Sequence, residues 1–264
     1  MASQLTAEKR FAINLAREAG SIIRENFVAG LRFGIESKEK EDKTLVTKTD
    51  TDINDLVIKA VKKEFPDHDI LGEERSDLSK KGRYTWVVDP VDGTHIFIYG
   101  IPLSVFSLAL VKDGVPVTGV VNHPYMNQLF SAEVNEGAFL NGNRIKVSQR
   151  NTLERSAVGI GYWRSAQVDL NPLYQKLYKA GANLLQLGSI AYMGALVANG
   201  SLVANIHPAN TAYDSAALKV IIEEASGKVT DLYGNEQRYD GAIKGCIMSN
   251  GSAIHDELIR LLKE

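Results

Sequence analysis

Trp86-Val87-Val88-Asp89-Pro90-Val91-Asp92-Gly93-Thr94 reads as a buried strand that delivers two carboxylates to a stiffened turn. A short apolar run, with a charged loop before it and Pro and Gly after it, has the pattern of such a strand. Pro90 fixes its own φ and biases Asp89 toward an extended conformation. Gly93 permits a tight turn and leaves its own amide and that of Thr94 to face a ligand. Two acids on such a turn suit a cation better than a core. An ordinary Asp-Gly turn has the same composition, so both readings stand at this point.

Bulk properties narrow the setting without naming a chemistry. A chain of 264 residues, 44% hydrophobic and 23% charged, can bury a large core as one big domain or two intimate ones. A formal net charge of −2 argues against non-specific binding to nucleic acid or anionic lipid. No apolar run approaches the roughly 20 residues that span a bilayer. Met1–Arg10 is polar, with no signal-peptide core, and the single cysteine, Cys246, fits a reducing compartment. A soluble cytoplasmic protein is the expectation.

Outward from the opening strand, Thr6 is the expected N-cap of a helix carrying Phe11, Leu15, Ala19, Ile23 and Phe27, ending near Ala29-Gly30. Ser37–Lys43 reads as a charged surface loop, or alternatively as a flap over a nearby site. From Asp52, Ile53, Leu56, Val57, Ala60, Val61 and Phe65 form a second helical stripe, closed by Pro66. Asp69-Ile70-Leu71 is a short strand running into Gly72-Glu73-Glu74, and Asp113-Gly114 joins Ser104–Val111 to Val115–Val121 as a hairpin. Leu129–Glu133 adds a strand, and Asn141-Gly142 a turn.

Near residue 150 the texture changes to alternating strands and helices. Strands are expected at Ser156–Gly159, Asn183–Leu187, Leu202–Ile206 and Cys246–Met248. Helices are expected at Pro172–Ala180, Ser189–Ala198, Tyr213–Ala225 and Ala253–Leu262, with Gly227 as the C′ residue of the third.

Acids gather at the ends of these elements: Asp50 before the second helix, Glu73, Asp89 and Asp92 after strands, and Asp214 opening a helix. Singly, Asp50 and Asp214 read equally well as caps or first-turn acids, and Glu73 as a surface charge. Together, Gly72-Glu73-Glu74, Asp89-Pro90-Val91-Asp92-Gly93-Thr94 and Tyr213-Asp214-Ser215-Ala216-Ala217 resemble the signature of the inositol monophosphatase superfamily. These are Mg²⁺-dependent, often lithium-sensitive phosphatases of small phosphomonoesters. Thr47-Lys48-Thr49-Asp50 and Ser249-Asn250-Gly251 extend the resemblance over nearly the whole chain.

The resemblance implies an α+β / α/β layered αβαβα sandwich. Residues 1–150 would form an α+β half with a six-stranded antiparallel sheet and most metal ligands. Residues 151–264 would form an α/β half supplying Asp214 and the substrate wall. It implies two or three Mg²⁺ ions, with Mn²⁺ as a possible substitute. Glu73, Asp89 and the Val91 carbonyl would hold the first, and Asp89, Asp92 and Asp214 the second. A weaker third ion would lie near Glu73 and Asp50. Glu73 and Thr94 would position the attacking water, with Asp50 accepting from the Thr94 hydroxyl, while the Gly93 and Thr94 amides cradle the phosphate. These residue types suit the task, because hard cations take oxygen ligands and a phosphomonoester is a dianion with a poor leaving group. A homodimer acting on a small phosphorylated metabolite is implied as well.

Substrate positions depart from the family pattern. Gly188-Ser189-Ile190 stands where relatives carry a Gly-Ser/Thr-Ala run, so by resemblance the bulky Ile190 is expected to narrow the pocket. His207 stands where many relatives carry a glutamate, Tyr213 replaces a tryptophan, and His95-Ile96 follows the Asp-Gly-Thr turn. Inositol monophosphatase-like activity ranks first. Histidinol phosphate, fructose-1,6-bisphosphate and 3′(2′),5′-bisphosphate nucleotides follow, and a catalytically silent phosphate- or metal-binding protein is the alternative from another class.

Overall fold

Side chains alternate along the strand Tyr84–Asp92, and that alternation feeds two cores in the computed structural model, which describes residues 6–27, 36–40, 45–80, 82–161 and 166–264. Trp86 and Val88 enter one core and Val87 the other, as a period of two on a strand buried on both sides demands. Val91 joins the core of Trp86 because the register shifts between Asp89 and Asp92.

The first half begins with helix α1 (Ala7–Asn26), whose N-cap Thr6 accepts from the Lys9 amide at 3.1 Å. Strands β1 (Ser37–Glu39) and β2 (Leu45–Thr47) pair antiparallel. Helix α2 (Lys48–Glu64) and strands β3 (Asp69–Gly72) and β4 (Tyr84–Asp92) follow, then the short helix α3 (Thr94–Ile98). Strands β5 (Val105–Lys112), β6 (Val115–His123), β7 (Gln128–Glu133), β8 (Gly137–Leu140) and β9 (Asn143–Arg144) complete a sheet in the order β3-β4-β5-β6-β7-β8-β9.

The second half contains β10 (Ala157–Ile160), α4 (Asn171–Lys179), β11 (Asn183–Leu185), α5 (Ile190–Ala198), β12 (Ala204–His207), α6 (Ala216–Glu224), β13 (Lys228–Thr230), β14 (Cys246–Ser249) and α7 (Ala253–Lys263). Its sheet runs β11-β10-β12-β14-β13.

The layers follow from who shares a core. Trp86, Phe106, Leu108 and Val120 pack with Ala12, Leu15, Ile23, Ile53 and Val57, so α1 and α2 cover one face of the larger sheet. Val87, Ala109 and Val121 pack with residues of α5 and α6 and with Cys246 and Met248, which places those helices between the two sheets. Ile160, Ile206 and Ile247 face Leu173, Leu177, Ile254 and Leu258 of α4 and α7. The result is an αβαβα sandwich. No described helix is long and apolar enough to cross a membrane.

Several expectations need correction. The larger sheet has seven strands, and β3 pairs parallel with β4 rather than antiparallel. Part of the expected surface loop at Ser37–Lys43 is strand β1, with residues 41–44 outside the described set. The three residues of β1 are all exposed and carry no apolar alternation, so the sequence there holds no strand signal. The first helix stops at Asn26, and the expected stop at Ala29-Gly30 lies outside the described residues.

Helix α2 begins at Lys48, so Asp50 is its third residue rather than a residue before it. Asp214 closes a 3₁₀ turn, Ala212–Asp214, and α6 starts only at Ala216. At the other end of α6, Ser226 takes the left-handed position (φ 72°). The Ser226 and Gly227 amides donate to Glu223 and Ile222 carbonyls at 2.9 and 2.8 Å, the hydrogen-bond pair of a Schellman cap. Gly227 is therefore one residue beyond the expected C′. A Cβ there would lie 2.5 Å from the Ser249 carbonyl oxygen, so close packing against β14 requires the glycine.

Candidate metal centre

The site is built around the irregular end of β4. Pairing with β5 keeps regular register to Asp89↔Ser107, then shifts before Asp92↔Val105. Both acids therefore lie within the strand, separated by a bulge, and not after it. Asp89 has the parity of Val87, which points it toward the layer between the sheets. The bulge re-aims the chain so that Asp92 faces the same way, a use typical of bulges beside active sites. One carboxylate oxygen each from Asp89, Asp92 and Asp214 lies within 4.8 Å of the others.

Each acid is oriented by local structure. The Asp89 Oδ1 accepts from the Val91 amide at 3.1 Å. Asp92 docks on the N-terminus of α5: Oδ2 accepts from the Ala191 amide at 2.6 Å and from the Ser189 hydroxyl, and Oδ1 accepts from the Ile190 amide at 3.2 Å. A carboxylate there satisfies orphan amides and meets the positive end of the helix. Asp214 accepts from the Thr211 hydroxyl. Gly93, with φ 91°, turns the chain out of β4, and a Cβ on it would approach the Gly188 carbonyl oxygen to 3.2 Å. An L side chain is disfavoured on both counts.

Asp50 and Thr94 form a second unit. The Thr94 hydroxyl donates to Asp50 Oδ1 (3.0 Å) and shares its hydrogen with the Val91 carbonyl (3.1 Å). Asp50 Oδ2 accepts from the Thr47 amide at 2.9 Å and from the Thr47 hydroxyl, completing a capping box at the start of α2. Glu73, after β3, lies close enough for its charge to raise the Asp89 carboxyl. Its Oε1 is held by the Lys40 ammonium at 2.9 Å, and Lys40 also holds Glu74 Oε1 at 2.6 Å.

Electrostatics follows from crowding. Burial, then the charges of Glu73, Asp92 and Asp214, push the Asp89 carboxyl well above its ordinary range. Asp214 is raised well above its usual value by burial, against the Thr211 hydrogen bond. Asp92 is raised to about 6 by burial, against the pull of its Ser189 and α5 amide donors. Burial also raises Asp50. Such a set of hard oxygen donors resists shared ionisation and is relieved by a divalent cation. The donor set fits Mg²⁺ or Mn²⁺.

The structure therefore brings Asp50, Glu73, Asp89, Val91, Asp92, Gly93, Thr94, Gly188, Ser189, Ile190 and Asp214 into one connected region. The tight group is the three aspartates, and Glu73 stands beside it. Expected substrate residues behave differently from one another. Ser189 is fully buried and spends its hydroxyl on Asp92, while the Ile190 amide does the same. His207 is fully buried on β12; its Nδ1 accepts from the Ala209 amide at 3.3 Å and its Nε2 has no hydrogen-bond partner. Burial lowers its pKa to about 3, so the ring is neutral. Lys40 and Thr211 are site residues that the sequence did not single out, the signal for Lys40 being its position in the charged stretch read alternatively as a flap.

Comparisons with known proteins cover nearly the whole chain. The family model described as "Inositol monophosphatase family" matches residues 4–264. A fructose-1,6-bisphosphatase/inositol-1-monophosphatase of Thermotoga maritima is 33% identical over 258 residues, covering 96% of this chain and 95% of the relative. A histidinol-phosphatase of Chlorobaculum parvum is 30% identical over 252 residues, covering 94% of each. The solved structure of a Thermotoga maritima IMPase superposes with a TM-score of 0.86 at 32% identity, covering 98% of this chain and 97% of that one.

Proposed function

The chain belongs to the inositol monophosphatase family, and from that premise we propose that it hydrolyses a small phosphomonoester with Mg²⁺, inositol monophosphate being the first candidate. The observation that carries this reading is the buried group of Asp89, Asp92 and Asp214 beside the Thr94–Asp50 pair. In this reading Glu73, Asp89 and the Val91 carbonyl hold one cation, and Asp89, Asp92 and Asp214 a second. Two or three ions bind per site, and Mn²⁺ can replace Mg²⁺. Bound there, they supply positive charge to the phosphoryl group and to the oxygens that attack and leave.

The chain's own groups do the rest. Thr94 donates its hydrogen to Asp50, so its oxygen lone pairs are left to accept from a water. Asp50, its carboxyl raised by burial, is a stronger base than an exposed aspartate and draws proton density through the Thr94 hydroxyl. Glu73 commits one oxygen to Lys40 and keeps the other for the same water. The Gly93 and Thr94 amides cradle the phosphate. Ser189 and the α5 amides orient Asp92.

A neutral, buried His207 offers a polyol less than a carboxylate would, since its Nδ1 already accepts from the Ala209 amide and its Nε2 can only donate. Inositol monophosphate is therefore to be tested beside histidinol phosphate, fructose-1,6-bisphosphate and 3′-phosphoadenosine 5′-phosphate. Mg²⁺-dependent phosphate release from at least one is expected. Background release from all four, with metal bound, would point to a silent binding protein instead. Assembly as a cytoplasmic homodimer belongs to the same proposal, and sedimentation as a monomer at micromolar concentration counts against it.

A further inference from the structure

Lys40 sits where a cation is wanted. Its ammonium bridges Glu73 Oε1 at 2.9 Å and Glu74 Oε1 at 2.6 Å. The contact is sheltered: the side chains of Lys40, Glu73 and Glu74 are 21%, 15% and 8% exposed, unlike the exposed ion pair Lys48–Asp52 at 83% and 46%. Sheltered carboxylates are costly unless a cation answers them. The Glu73 charge also acts on the Asp89 carboxyl, so whatever cation holds Glu73 bears on the aspartate group.

Lys40 directly follows strand β1, which has few other anchors among the described residues. Ser37, Lys38 and Glu39 are all exposed, and β1 pairs only with β2. Among the described residues, its place against the site rests on that pairing and on the two Lys40 contacts.

We propose that Lys40 is a resident cation that competes with divalent metal for Glu73, so that a metal ion at the Glu73–Glu74 end binds only by displacing the β1 segment. This rests on the metal-dependent reading above and adds its regulation. An ammonium brings a single charge and up to three donors, and it takes no ordered shell of oxygen ligands. Displacing it breaks two charge-assisted hydrogen bonds, which weakens the last metal ion bound and couples its entry to movement of β1. Removing it leaves two adjacent carboxylates unanswered beside the aspartates, a surplus of negative charge that a divalent ion answers.

The test is calorimetric titration of the chelator-stripped full chain with Mn²⁺ alone, comparing wild type, Lys40→Met, Lys40→Gln and Lys40→Arg, with circular dichroism to certify each fold. Lys40→Met should bind its weakest Mn²⁺ at least tenfold tighter than wild type, or bind one more ion per chain. Lys40→Arg should behave as wild type. If Lys40→Met does not fold, Lys40→Gln carries the same expectation. Unchanged or weaker Mn²⁺ binding in the folded neutral variant would overturn the proposal and leave Lys40 as a pin for the β1–β2 hairpin. A wild-type chain that takes up no Mn²⁺ would instead sink the metal reading itself, and this proposal with it.

Discussion

Asp92→Asn should make the metal-free protein more stable and the metal-loaded protein less active. Asp92 is 6% exposed, and its carboxyl is raised to about 6 in the fold against 3.8 in the open chain. The sign follows from the raised value: the fold prefers the protonated acid, so ionisation at neutral pH opposes folding. At pH 7.5, where the group is ionised in both states, that difference costs the fold about 3 kcal/mol. Asparagine removes the charge. With its oxygen at the Oδ2 position it still accepts from Ser189 and Ala191, but it sets an NH₂ against the Ile190 amide, which donates at 3.2 Å. That mismatch costs about 1–2 kcal/mol.

The net gain is about 1–2 kcal/mol, and for a chain of this size each kcal/mol moves Tm by roughly 2–4 °C. Thermal unfolding with chelator should therefore put Asp92→Asn several degrees above wild type. Saturating Mg²⁺ should reverse the order, because a ligand at ~100 times its Kd adds about 2.7 kcal/mol to whichever protein binds it. Phosphate release should fall by orders of magnitude. A variant that melts below wild type in chelator, or that keeps strong activity, would refute the view of Asp92 as a crowded metal ligand.

Three further outcomes are expected. Thr94→Val keeps the bulk and removes the donor to Asp50, so kcat should fall by about 100-fold or more with the fold intact, while Thr94→Ser keeps most of it; an active valine variant would remove Thr94 from the proton path. The metal-free protein should lose stability as pH rises from about 4 through 6, because the raised carboxyls of Asp89, Asp92 and Asp214 bind more protons in the fold than in the open chain. Denaturant melts across that range check it, and a rise in stability would contradict the crowding. Trp86→Ala should cost about 3–5 kcal/mol by denaturant titration, since Trp86 is fully buried, donates to His68 Nδ1 at 3.1 Å and packs on the Phe11 and Phe65 rings.

Local signals were legible and long-range ones were not. The buried strand around Val87 and Val88, the Asp113-Gly114 hairpin with both φ positive (52° and 88°), and the Thr6 cap each carry their cause within a few residues. Strand β1 bears no apolar pattern, and the left-handed turn at Ser226 sits on a residue type that rarely advertises one. The acids were legible through their motif spacing, but not the partners that aim them. Asp92 meets Ser189 across 97 residues and Lys40 meets Glu73 across 33, distances at which only the packed sheets decide who is a neighbour. Parallel pairing of β3 with β4 is likewise a property of the sheet, not of either strand.

Whether Asp89, Asp92 and Asp214 together hold a divalent cation is tested most directly by anomalous diffraction from crystals grown with Mn²⁺. A peak bounded by these three carboxylates is expected. Density from ordered protein with no anomalous peak among them would contradict it.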